Sequence, residues 1–176
     1  MDMKEMLFKW YGEEKAIAAV EMALVFPFLI TMLFGIVDIG QGILFNKKAI
    51  SATHIAADLL ARNISVSDDD VNQAIEAARL SFDPYPTGSF GIDIAGIQFQ
   101  GAGADPTVVW RDTQNMAANE DVLTGSIGLG TEDEGVVAVT VVYTFDPPFA
   151  GILIGSIDMQ EVAYMRGRIT PFVSRE

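Results

Sequence analysis

From Met22 to Val37 the chain runs sixteen residues without a charge, and if Asp38 is tolerated the apolar stretch continues to Phe45, 24 residues in all. At about 1.5 Å rise per residue, such a helix is about 36 Å long, enough to cross a hydrocarbon core of about 30 Å. Nothing else in the sequence limits the fold as strongly, because a segment this apolar has to leave water. Pro27 falls in the first turns, where a helix tolerates it better than at its centre. The expectation is one membrane-spanning helix.

The rest of the chain is of opposite character. Half of all residues are hydrophobic, yet the formal charge is −13. Asn46 to Glu176 holds 8 Lys+Arg against 18 Asp+Glu, a net −10. Such a surface repels nucleic-acid phosphates and anionic lipid headgroups, so neither is an expected partner. With no cysteine there is no disulfide framework and no Cys-based metal site. The one histidine, His54, has no second His or Cys to complete a metal site or a triad. No serine stands in G-x-S-x-G, GSIGLG is only loop-like, and Glu132, Asp133 and Glu134 read as a solvated loop. No catalysis and no cofactor is expected.

One letter disturbs the apolar segment: the carboxylate Glu21 in AIAAVEMALVFP. A cleaved secretory signal would need a basic start, but MDMKEMLFKWYGEEK carries three lysines and four acids, and the apolar run is too long. A plain anchor explains the length and leaves Glu21 and Asp38 as end charges that snorkel. Lysines are nearly balanced across the span (Lys4, Lys9 and Lys15 against Lys47 and Lys48), so they do not set its orientation.

A third reading comes from spacing. KAIAAVE resembles a class III signal of the type IV pilin kind, in which a cut follows a small residue and a glutamate stands fifth in the mature chain. Counting back from Glu21 makes Ile17 the first mature residue and Ala16 the residue before the cut, where that family usually has glycine. AVEMALVFP and FGIVDIG, in that order, further resemble the N-terminal signature of the TadE/TadF pseudopilins of tight-adherence (Flp) pilus systems. VVYTFDPPF and EVAYMRGR are similar to that family's closing pattern.

The resemblance implies a minor pilin or pseudopilin without enzymatic activity, cut by a prepilin peptidase between Ala16 and Ile17. It implies a bacterial inner-membrane location with the head on the extracytoplasmic side. The implied partners are the peptidase, other pilin or pseudopilin subunits, the inner-membrane assembly platform and membrane lipid. Glu21 would then pair with an N-terminal amine at Ile17, in related pilins that of a neighbouring subunit, and Asp38 falls where the family tends to place an acid. Such a pair is worth only about 1 kcal/mol in water at 4 Å and far more in a low-dielectric setting. Pro27, Gly35, Asp38, Gly40 and Gly42 are the helix-packing candidates; the glycines let another helix approach, although they form no G-x-x-x-G.

Beyond the span, KKAISATHIAADLLARN keeps helical spacing through Ile50, Thr53, Ala57 and Leu60, with Ile55 and Leu59 alongside, so one helix is expected from about Ile17 to Asn63. Ser67 is the expected N-cap of a second helix with Asp68, Asp69 and Asp70 in its first turn. D-D-D lacks the alternating ligands of a calcium loop. Strand signals cover residues 91–100, 107–112, 135–145 and 159–169. The apolar FAGILIG patch is expected to pack under the sheet, with a partner or the membrane as the alternatives. The expected fold is α+β and pilin-like: a long N-terminal helix, half membrane span and half amphipathic, a second helix, then a mainly antiparallel sheet of about four strands. The expected division is a leader, 1–16, an assembly helix, 17–45, and an acidic head, 46–176. The competing function is an envelope binding protein on an ordinary single-pass anchor, which would stay uncut.

Overall fold

The structure is a computed structural model and describes Met3, residues 14–151 and residues 155–176. Most of the expected leader and the Ile152–Ile154 core of FAGILIG lie outside the described residues. Helix α1 runs Glu14–Ala61, is followed by β1 (Ser65–Val66), and leads to α2 (Asp68–Leu80). Then come β2 (Gly91–Gln100), β3 (Asp105–Gln114), α3 (Asp121–Ser126), β4 (Gly135–Phe145), β5 (Ile157–Arg166) and β6 (Ser174–Arg175). The α+β expectation holds.

The chain divides into two compact units. One contains the apolar part of α1 as far as Gln41, together with Pro147–Gly155; the other contains Gly42–Asp146 and Ser156–Glu176. In the second unit β2 to β5 form one antiparallel sheet in the order β3-β2-β4-β5. A separate parallel pair joins β1 to β6.

Gly42–Ala61 of α1 and α2 cover one face of this sheet. The α1 side chains that reach the core are small: Ala49, Ala52, Thr53, Ala56 and Ala57 are buried, with only Phe45 and Leu60 larger. Ile50, Ile55 and Leu59, expected on the inward stripe, are exposed. Small residues bring a backbone close to its neighbour, and the aromatic rings of Phe45, the sheet and the α2–β2 connection fill the remaining space. Phe45 stacks on Tyr143 at 5.0 Å, Tyr143 on Phe82 at 4.8 Å, and Phe82 meets Phe90 edge-on at 5.6 Å. Burial pushes the Tyr143 phenol above the usual tyrosine range.

Helix α2 begins as its sequence predicts. The Ser67 hydroxyl accepts from the Asp70 N–H, and the Asp70 carboxylate accepts from the Ser67 N–H at 2.9 Å. At the other end Lys48 donates to the carbonyls of Ser81 and Asp83, which lie just past the last turn.

The sheet's opposite face is covered too. Ala95, Ile97, Phe99, Val136 and Ala138 pack against Val122 of α3, so the polar-looking stretch after β3 acts as a lid on a second, smaller core. Strand β2 is therefore buried on both faces. Its register with β3 shifts between Gly96 and Ile97, and the Trp110 indole lies against Gly96, where any Cβ would overlap the ring. Trp110 donates through Nε1 to the Val173 carbonyl at 2.8 Å.

Candidate functional site

The features that single this chain out lie along the first part of α1. Its large apolar side chains face outward all round: Ile17, Met22, Leu24, Phe28, Leu33, Ile36 and Ile39 are all exposed. A helix that is hydrophobic on every side suits lipid or other helices rather than water. It is the one helix among the described residues long and apolar enough to cross a membrane. Pro27 sits inside it, and the Thr31 hydroxyl donates to the Pro27 carbonyl at 2.8 Å. The Ala16–Ile17 bond lies within the helix.

The two acids of this helix differ in how their charge is met. Glu21 is exposed and, among the described residues, has neither a hydrogen-bond nor an ion-pair partner. It stands four residues after Ile17, so the two positions share a helix face about one turn apart. Asp38 is 5% exposed, and its carboxylate accepts the Phe149 N–H at 3.3 Å and the Ala150 N–H at 2.6 Å. Pro147 and Pro148 have no N–H, so these are the first two backbone donors of that segment. One turn away, the Phe149 ring stacks on Phe34 at 4.3 Å and 4°. An aspartate within a membrane helix is costly, and so is a backbone donor left unpaired in hydrocarbon. Each here removes the other's penalty.

The glycines separate in the same way. A Cβ on Gly35 or Gly40 would meet nothing within 4 Å, whereas one on Gly42 would stand 3.6 Å from the Phe145 ring. Gly42 thus faces the sheet, and Gly35 and Gly40 face open space. The described residues of FAGILIG, Phe149 to Gly151 and Gly155, group with the apolar stretch of α1 and not with the sheet. Sequence reasoning marked Asp38 but missed Phe149 and Ala150 as its donors. The signal available was a proline pair followed by the first N–H groups of an uncharged segment.

Away from α1, a buried polar cluster lies on the lid side of the sheet. Asp93, 1% exposed, accepts from the Thr113 hydroxyl at 3.0 Å and the Asn119 N–H at 2.9 Å, and pairs with Arg111 at 3.5 Å. Asn119 also donates to the buried Thr140 hydroxyl. These contacts hold the start of the lid. His54 is exposed on α1, and among the described residues no group of three or more His, Cys, Asp or Glu is placed to hold a metal ion.

A long apolar helix with one internally satisfied acid and one open acid, followed by a small α+β unit, fits a single-pass membrane protein. The family model described as TadE-like protein matches residues 16–58, from the residue before Ile17 to the last turn of α1. Over that segment the chain is similar to the TadE-like family. No curated protein and no solved structure matches the chain.

Proposed function

We propose that the chain is a minor pilin or pseudopilin of a tight-adherence pilus, freed of its leader by a prepilin peptidase between Ala16 and Ile17. It is held in the inner membrane with its acidic head on the extracytoplasmic side. It joins other pilus subunits and the assembly platform through the apolar half of α1. The observation that supports this reading most is the contrast between the two acids: Asp38 is answered within the chain, whereas Glu21 stands exposed on an apolar helix without a partner among the described residues. A carboxylate so placed is costly in lipid until an opposite charge arrives. Cleavage would create that charge as the amine of Ile17, on the same face, and a neighbouring subunit would present a second one. Gly35 and Gly40, with open space beside them, let the neighbouring helix come close.

Co-expression with a prepilin peptidase, followed by intact-mass measurement, tests the reading directly. The mass should fall by that of residues 1–16. Glu21→Val should insert into the membrane normally and fail to support pilus assembly. An uncut chain, together with normal pili from Glu21→Val, would sink the proposal and leave a plain anchored protein.

A further inference from the structure

We propose that the start of the connection from β4 to β5 is embedded in lipid: Phe149 and Ala150 enter the bilayer beside α1, with acyl chains covering the side of Phe149 turned away from Phe34. The inference goes beyond an assembly role and rests on α1 spanning the membrane.

Depth is the first argument. A residue stacked on or hydrogen-bonded to a spanning helix shares the depth of its partner. Phe149 stacks on Phe34, and Ala150 donates to Asp38 at 2.6 Å. Phe34 precedes Gln41, the last α1 residue grouped outside the sheet unit, by seven residues, which is about 10 Å of helix. Its partner ring therefore sits well below the surface.

Backbone hydrogen bonding is the second. Irregular backbone is tolerated at membrane depth only where its polar groups are satisfied. Pro147 and Pro148 bring no donor, Phe149 and Ala150 donate to Asp38, and Gly151 donates to the Pro147 carbonyl at 3.0 Å. Gly155 donates to the Gly151 carbonyl at 2.9 Å.

The third argument is composition. Pro147 to Gly155 contains no charged residue and is flanked by Asp146 and Asp158. Phe149 remains 46% exposed even after stacking, an apolar surface that water would penalise. An acyl chain covers it without involving the anionic headgroups that the acidic head repels.

The chain has no cysteine, so single-cysteine variants report cleanly. Ala150→Cys and, separately, Phe149→Cys would carry an environment-sensitive fluorophore in the full chain, reconstituted in phosphatidylcholine vesicles with brominated acyl chains. Leu33→Cys, exposed on α1, is the membrane reference, and Asp69→Cys, exposed on α2, is the water reference. Quenching at 150 and 149 comparable with that at 33, and absent at 69, is expected. Probes at both positions that stay unquenched and react with a membrane-impermeant thiol reagent before labelling would overturn the proposal. Probes that are neither quenched nor reactive would also overturn it, because a second copy would then be covering the segment. If Leu33 itself is unquenched, the span fails along with the inference. If only 149 and 150 are unquenched, the span stands and the inference alone falls.

Discussion

An acid withdrawn from water has to be met by donors, and this chain does so twice over different distances. Asp38 takes two backbone N–H groups from a segment 111 and 112 residues later. Asp93 takes a hydroxyl and a guanidinium from the neighbouring strand β3 and a backbone N–H from the loop after it. Glu21 has nothing comparable among the described residues, which is why it carries the proposed assembly role. The Asp93 cluster makes a prediction at this scale. Asp93→Ala would leave the Asn119 N–H without its acceptor and remove the carboxylate facing the Arg111 guanidinium, itself only 18% exposed. Glu120 still pairs with Arg111 at 2.6 Å, so the cost should lie near the low end for a broken buried pair, about 3 kcal/mol. For a chain of this size that is a drop of about 6–12 °C in melting temperature. A thermal scan of the detergent-solubilised protein checks it, and a midpoint within about a degree of wild type would show that the cluster does not anchor the lid.

Among the elements, α2 offers the clearest acid-dependent test. The Ser67 hydroxyl and N–H hold the Asp70 carboxyl below its ordinary value of 3.8. A depressed folded value means that the capping contribution is fully present above about pH 4 and is lost as pH falls through the lower folded value. Glu134 behaves alike, lowered first by the Thr131 N–H. Melting temperature should therefore decline on the acid side of pH 4, and Asp70→Asn should flatten that decline while lowering the neutral-pH midpoint. Ser67→Ala should cost about 1 kcal/mol. A wild-type and an Asp70→Asn curve that run parallel through the acid range would remove the cap from the explanation. This cap was readable from S-D-D-D, as were β2 to β5 from their β-branched and aromatic runs, because both signals are local. On α1 the expected stripe holds at Thr53, Ala57 and Leu60 and fails at Ile50, Ile55 and Leu59, because close approach to a sheet favours alanine over the larger aliphatics that hydropathy selects. The helix α3 was hidden in a polar stretch whose role, covering the second face, depends on strands that it does not adjoin. Asp38 could be flagged as out of place in the span, but its donors lie more than a hundred residues away, beyond the reach of any spacing rule.

At the scale of the whole molecule, the apolar length of α1 and Pro147–Gly155 form one unit although β4 and β5 belong to the other. A fragment beginning at Gly42 would thus lose the surface on which Phe149 stacks and the acceptor for two N–H groups, and should self-associate through the uncovered segment. Phe145 and Ile157 face each other at the strand ends, so replacing Asp146–Ser156 with a tight turn should restore a monomer. Light scattering on the two fragments distinguishes them, and a monomeric unmodified fragment would contradict the division. The strand order has a separate consequence for crowding. With β2 and β4 in the centre, the sheet's free margins are β3, which carries Pro106, Arg111 and Asp112, and β5, which carries Asp158, Glu161 and Arg166. Proline and charge along such margins discourage strand addition by another chain. If the proposed assembly draws heads together by their helices, such margins would let them pack densely without fusing into amyloid-like ribbons.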